Sequence, residues 1–317
     1  MNLLFSAIGK EMAAGTIANV PIEYTAVPFN LEHFAAFAAE PKDTITTLFI
    51  DGGIADLVRL PHAQMNVIRI CGVLSTTQGQ KKKQVVRREY LVTIGKKCVV
   101  TDHHGKEMPL LQILLDQCAT VHENEKIASS FRKCLEWSLA VELATQHKPD
   151  LVVLDGTLQA EHDGEKILLA QLEQLPCVVA FSKTSGLLTE TGNPLGITLQ
   201  RMTSQRVWWY VPVAQNAATC ICMARLNELS LHCFRIDLFN AQKEQWSSAL
   251  ASLKAMSNDA AFPGYPYGLI LVDSLARIAN QEKEMLLARL QAAKEWKDLL
   301  PMLATTDAHD RLDQLQF

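Results

Sequence analysis

Hydrophobic positions along the chain fall into two kinds of run. Short continuous runs, rich in β-branched residues, occur at 44–51 (TITTLFID), 150–155 (DLVVLD), 176–181 and 267–272 (YGLILV). Each is bounded by Gly, Pro or Asp, and each reads as a buried strand. Residues 67–101 alternate less regularly and predict a strand meander: VIRICGVLST, QVVRREYLVTI and KKCVV, separated by the polar turns QGQKKK and GK. Further strands are expected at 206–213, 219–225 and 231–238. The other runs repeat at helical spacing. The clearest is 123–146, where Ile127, Phe131, Leu135, Leu139 and Leu143 form one stripe and Pro149 stops the helix. Helices are also expected at 3–14, at 30–39 with Asn30 as N-cap, and at 110–118, 161–174, 241–256 and about 274–299.

Strands come first as a meander and then alternate with helices, which predicts an α/β domain with a mixed sheet flanked by helices. No stretch has the composition of an interdomain linker. The chain therefore reads as one unit: an N-terminal helical extension over 1–43, a core over 44–299 and a polar tail over 300–317. The opening MNLLFSAIGKEMAAG has no basic leader and reads as a helix, not a signal peptide.

Composition narrows the classes. Of 317 residues, 48% are hydrophobic and 20% charged, which excludes a largely disordered or collagen-like chain. The apolar runs are far shorter than the ~20 residues of a membrane span. Eight cysteines are scattered without a C-x-x-C pair. They read as small buried hydrophobes in a reducing cytoplasm, and a structural zinc site is not expected. The net charge of −4 gives no global basic field, so any nucleic-acid surface must be local. One such stripe exists: Lys81, Lys82, Lys83, Arg87, Arg88, Lys96 and Lys97 stand against the single acid Glu89. It would make phosphate contacts, or else protect a solvated hairpin edge.

Candidate chemistry lies at strand ends. LFID51-GG and VVLD155-GT each close a buried strand on Asp-Gly. Such ends face the edge where α/β folds bind ligands. Two carboxylates on neighbouring strands repel unless a cation lies between them, and hard oxygen donors suit Mg2+ or Mn2+. Either Asp is also compatible with an ordinary Asp-Gly turn. Glu136, beside the apolar stripe of the 123–146 helix, is a third acid, with Glu142 as its competitor. Asp273 follows YGLILV, and helix capping is the other reading there.

The ordered set FIDGG, RxxxE in a helix, LVVLDGTL, FSKTSG, YVPV, FRID and GYPYGLILVDSLARI resembles the NurA nucleases, over about 44–292. The resemblance implies an RNase H-like fold with extra N-terminal helices and an additional strand region. It implies a manganese-dependent DNA nuclease that forms ring-shaped homodimers and works with the hexameric ATPase HerA. It favours Glu136 over Glu142, through the 19-residue step from Glu136 to Asp155. It assigns Asp51, Glu136 and Asp155 as ligands of Mn2+ (or Mg2+), two ions per site. Lys183 matches a basic residue near the site, and Tyr210 an active-site tyrosine. Asp273 stands where better-known members carry a histidine; an aspartate there can also bind the metal.

The expected activity is phosphodiester hydrolysis at DNA ends or single strands, in repair or in defence against phage. A catalytically weakened dimeric DNA clamp that regulates the translocase is the alternative, and an actin-like or sugar-kinase-like ATPase is a further one. Trp208, Trp209 and Phe262 would stack bases or pack in the core. Asp102-His103-His104 and Glu161-His162-Asp163 read as polar turns, because neither has ligands at zinc-type spacing. His309, in the tail, is too remote from the motif to replace the missing histidine. No GxxxxGK[ST] loop occurs, so the ATPase would be a separate chain.

Overall fold

The computed structural model describes residues 17–37, 44–60, 62–76 and 84–301. The expected helix at 3–14, Lys81–Lys83, His309 and nearly all of the tail lie outside the described residues. Three short strands come first: β1 (Ile17–Ala18), β2 (Thr25–Ala26) and β3 (Phe34–Ala35). The meander follows as β4 (Thr46–Leu60), β5 (Ala63–Thr76), β6 (Gln84–Ile94) and β7 (Val99–Asp102). Helices α1 (Pro109–Val121) and α2 (Asn124–His147) lead to β8 (Leu151–Asp155), α3 (Asp163–Glu173) and β9 (Val178–Ser182). After β10 (Leu188–Thr189) and α4 (Leu195–Met202) come β11 (Trp208–Gln215), β12 (Thr219–Arg225) and β13 (Phe234–Phe239). The described chain closes with α5 (Trp246–Ala255), α6 (Tyr267–Ala276) and α7 (Asn280–Gln291).

Among the described residues, eleven strands form one mixed sheet in the order β2-β11-β12-β13-β9-β8-β4-β5-β6-β7, with β3 also on β11. The β4–β8 and β8–β9 pairs are parallel and the others antiparallel. Strand alternation splits β4 between two cores. Leu48 and Ile50 pack with the α2 stripe of Ile127, Phe131, Leu135, Leu139 and Leu143. Phe49 packs on the other face with Leu250, Leu253, Leu269 and Val272 of α5 and α6. Both faces are thus covered, which is why β4, β8 and β9 read as unbroken apolar runs.

Four expectations change. Residues 267–272 form a helix, not a strand. An apolar run of that length is ambiguous by pattern, and α6 buries Gly268, Leu269, Val272 and Ala276 against the sheet. The 274–299 helix is broken at Arg277, where the backbone turns extended before α7. Asn30 does cap, accepting from Glu32 N–H at 3.0 Å, but the turn is a single 3₁₀ segment, Leu31–His33. Phe34 and Ala35 then pair with Tyr210 and Trp209 on β11, so sheet pairing overrides a helix there. Finally, β4 does not end at Asp51.

Its two glycines are explained by close packing, not by a turn. A Cβ on Gly52 would lie 2.5 Å from Glu136 Oε1, and one on Gly53 would lie 2.1 Å from the Ala276 carbonyl oxygen. The helices on both faces approach the strand at that point. Gly268 performs the reciprocal task on α6, where a Cβ would sit 2.2–2.4 Å from three ring carbons of Phe49. Gly268→Ala is therefore expected to destabilise the protein by about 1–3 kcal/mol through overpacking. Helix propensity alone would give a gain of ~1 kcal/mol, the opposite sign. Urea unfolding of Gly268→Ala, with and without Phe49→Leu to vacate the space, decides between them.

Candidate metal centre

The parallel pairing places the acids. Ile50 on β4 is level with Leu154 on β8, so Asp51 and Asp155 are the next residues along, side by side. β8 ends at Asp155 and β9 at Ser182, whereas β4 runs on to Leu60. A step opens beside β4 there. Asp51 shares the face of Phe49, under α6, and Asp273 comes down from α6 onto it. Carboxylate oxygens of Asp51, Asp155 and Asp273 all lie within 4.8 Å of one another. Asp273 is in the last turn of its helix and does not cap it; Asp273 Oδ2 accepts from Arg277 Nη2 at 2.8 Å.

Lys183, just past β9, sits among these acids. Its Nζ is 2.9 Å from Asp155 Oδ2, 2.5 Å from Asp273 Oδ1 and 3.9 Å from Asp51 Oδ2. Glu136 approaches from the α2 face, across Gly52, and is 3% exposed. It is ion-paired to Arg132, which also donates to the Gly52 carbonyl at 2.8 Å and lies 3.9 Å from Asp51 Oδ1. The competitor Glu142 is six residues further along α2 and holds Arg88.

The acids shift one another's protonation. Burial, then the charges of Asp155 and Glu136, push Asp51 up to about 8. Burial pushes Glu136 up to about 7 against the pull of Arg132. For Asp273 burial also acts upward, but Lys183 and Arg277 outweigh it and hold the carboxyl below its usual range. Asp155 and Asp273 in turn hold the Lys183 ammonium above its ordinary value, despite its burial. An all-oxygen donor set with a protein cation already in its midst fits a hard divalent ion.

The sign of the pH effect follows. Asp51 and Glu136 bind protons more tightly in the folded than in the unfolded chain, whose values are near 3.8 and 4.5. Their contribution is present below about 4 and is lost as pH rises through about 7–8. Chelator-treated protein is therefore expected to lose thermal stability over that window. Divalent cations should restore it most at the alkaline end, because binding displaces the protons. Melting curves across pH, with chelator or with Mn2+, measure both.

Tyr210 is elsewhere. Its hydroxyl accepts from Asn30 N–H at 3.1 Å, 3.3 Å from His33 Nδ1, and the ring is buried with Phe34 and Trp208. The tyrosine at the acids is Tyr265, which the sequence reading missed. Its hydroxyl is buried without a well-formed hydrogen bond. Burial and then Asp155, Asp51 and Asp273 raise its pKa, and Lys183 Nζ is 6.0 Å from its ring centre. The GYPYG string offered a signal, since it directly precedes the Asp273 helix. Asp237 in FRID was also missed. Fully buried, it accepts from Arg235 at 2.7 and 2.8 Å and from Leu158 N–H at 3.0 Å, tying down the loop after Asp155.

A cleft of about 550 Å³ opens from the acids along α2, with Glu136, Asp155 and Lys183 in its wall beside Lys126, Arg132 and Lys133. The described residues of the hairpin stripe do not line it. Arg87 pairs with Glu89 and Glu282, Arg88 with Glu142, and Lys96 and Lys97 are exposed at the far turn. Trp208 and Trp209 are buried, donating to Gln200 and the Ala36 carbonyl, whereas Phe262 is partly exposed. Asp102 accepts from the His104 and Lys106 amides, as a polar turn does. No helix among the described residues is long and apolar enough to cross a membrane.

Comparison with known proteins agrees with this architecture. The family model described as the NurA domain matches residues 45–278. The crystal structure of the NurA nuclease from Sulfolobus solfataricus is similar at a TM-score of 0.54 and 15% identity, covering 94% of this chain and 95% of that one. Endonuclease V from Ciona intestinalis, in complex with an inosine-containing 24mer DNA, gives 0.44 at 10% identity, over 78% and 89% of the two chains. The catalytic domain of human endonuclease V gives 0.42 at 12% identity, over 92% and 100%. No curated protein sequence matches the chain. The strand order β6-β5-β4-β8-β9, three antiparallel strands followed by two parallel ones, is RNase H-like.

Proposed function

The chain belongs to the NurA family of nucleases, and from that premise we propose that it is a divalent-metal-dependent deoxyribonuclease whose site is Asp51, Asp155, Asp273 and Glu136. The observation that carries this reading is the convergence of three carboxylates within 4.8 Å around the Lys183 ammonium. Bound Mn2+ or Mg2+, two ions per site by the family resemblance, would supply polarisation of the phosphoryl oxygen and a water of lowered pKa.

The chain's own groups do the rest. Asp51, Asp155 and Asp273 would hold the cation, and Glu136, fixed by Arg132, would supplement them from the α2 side. Lys183 is held by the same acids in the free protein. Its Nζ would neutralise charge developing on the scissile phosphate. Tyr265 borders the acids with a buried hydroxyl suited to orienting water. Lys126, Arg132 and Lys133 line the cleft as phosphate contacts, the sequence-independent part of DNA binding. The hairpin lysines would extend that surface. Convergence of Asp273 with the other acids favours a competent nuclease over a clamp.

The domain assignment, a nuclease core over 44–299, belongs to the same proposal. So do assembly as a homodimer, partnership with a HerA-like hexameric ATPase, a cytoplasmic setting, and end processing in repair or anti-phage defence. The test is cleavage of end-labelled single- and double-stranded DNA with Mn2+, with and without such an ATPase. Metal-dependent strand cleavage is expected; a folded protein that binds the ATPase but never cuts would overturn the catalytic reading.

A further inference from the structure

A second cluster of metal-type side chains lies behind the cleft wall, separate from the four acids. Cys118 of α1, Cys134 of α2 and His162, the N-cap of α3, are each more than nine-tenths buried, and their ligand atoms lie within 4.8 Å of one another. His162 Nε2 is 3.3 Å from Cys118 Sγ and 3.7 Å from Cys134 Sγ. With zinc bonds of about 2.3 Å to sulfur and 2.0–2.1 Å to nitrogen, a tetrahedral edge between the two is ~3.5 Å. A carboxylate stands beside the group, outside the set of atoms that lie within 4.8 Å of one another. Glu165, 1% exposed, has Oε1 at 3.5 Å from the same His162 nitrogen. Its other oxygen is held by Lys133 Nζ at 3.0 Å and the Glu161 amide at 2.6 Å.

We propose that Cys118, Cys134 and His162 hold a structural zinc ion, with Glu165 turning in as the fourth donor, so that the site staples α1, α2 and α3 together behind the nuclease cleft. Two thiolates and an imidazole are soft to intermediate donors and select zinc, whereas the all-oxygen acids select Mn2+ or Mg2+. Binding releases the two thiol protons. Ligation through Nε2 also leaves the proton on Nδ1, so the long 3.3 Å contact from the Glu165 amide to Nδ1 opens. Ser130 Oγ, 3.2 Å from Nε2 and 3.1 Å from Glu165 Oε1, lies just outside the donor set. The ligands come from three elements at separations of 16 and 28 residues, so the lack of a C-x-x-C pair carries no weight against the site. Its consequence for the cleft is positional. α2 carries Arg132, Lys133 and Glu136 on the turns flanking Cys134, and a clamp there fixes their approach to the acids.

The test uses the full chain, purified reduced, stripped with a strong chelator and titrated with Co2+ in place of zinc. One Co2+ per chain should give the strong red-region bands of a tetrahedral ion and a sulfur-to-cobalt charge-transfer band, and Zn2+ should displace it. Asp51→Asn should keep this spectrum. The Cys118→Ser/Cys134→Ser pair should lose the charge-transfer band and bind at least about a hundredfold more weakly. No charge-transfer band from folded, reduced wild type would overturn the proposal, as would the same band from the double variant. A Cys118–Cys134 disulfide in freshly purified protein would also overturn it. Should the double variant not fold, X-ray absorption of zinc-loaded wild type decides: two sulfur neighbours support the site and an all-oxygen shell refutes it.

Discussion

Asp51→Asn is expected to lower Mn2+-dependent DNA cleavage by at least about a thousandfold, equivalent to roughly 4 kcal/mol in the barrier. The substitution keeps volume and removes charge at the one acid that touches every other part of the site. Asp51 is 4% exposed, flanked by Asp155 on the next strand, covered by Asp273 and faced by both Lys183 and Arg132. The same change should make the chelated protein more stable near pH 8, because an ionised carboxylate buried among acids is replaced by a neutral amide. Loss of activity with gain of stability separates a ligand from a structural residue. Cleavage assays and chelator-treated unfolding curves on one preparation read both; a loss under tenfold would remove Asp51 from the site.

Asp237→Ala should have the largest effect on stability, about 3–5 kcal/mol. Asp237 is fully buried and makes a bidentate pair with Arg235, itself 6% exposed. Removing the carboxylate leaves a buried guanidinium unpaired, and the Leu158 amide loses its acceptor. Replacing both partners, as Arg235→Met with Asp237→Leu, should recover most of the stability. Activity should stay depressed in that double variant, since the loop after Asp155 has lost its anchor. Denaturant unfolding and kcat measured on the single and double variants test this; full recovery of kcat would limit Asp237 to a structural role.

Much of this was legible from residue order. The apolar runs at 44–51, 150–155 and 176–181 are strands because both faces of the sheet are covered, and the Ile127 to Leu143 stripe is the helix that covers one of them. The same burial hid α6: Leu269 and Val272 pack with Phe49 in the α5–α6 core, and the run YGLILV is too short and too uniformly apolar for its period to separate it from a strand. Pattern also could not show that Gly52 and Gly53 make room for helices in mid-strand. Asp51, Asp155, Asp273 and Lys183 could be picked out because each follows or ends an apolar run. Asp237 could not, since what distinguishes it is a contact across the fold with the loop after Asp155, and Tyr265 had only its place in GYPYG, ahead of Asp273, to mark it. The Cys118–Cys134–His162 cluster is non-local in the same way, assembled from three elements that share no local motif.

On the proposed function, Asp273 joins Asp51 and Asp155 in holding a divalent cation. Mn2+ binding to purified wild type and Asp273→Asn, followed by electron paramagnetic resonance at a fixed pH, tests it most directly. At least about a tenfold weaker affinity in Asp273→Asn, with a matching loss of cleavage, is expected. Unchanged Mn2+ affinity and unchanged cleavage in that variant would contradict the claim.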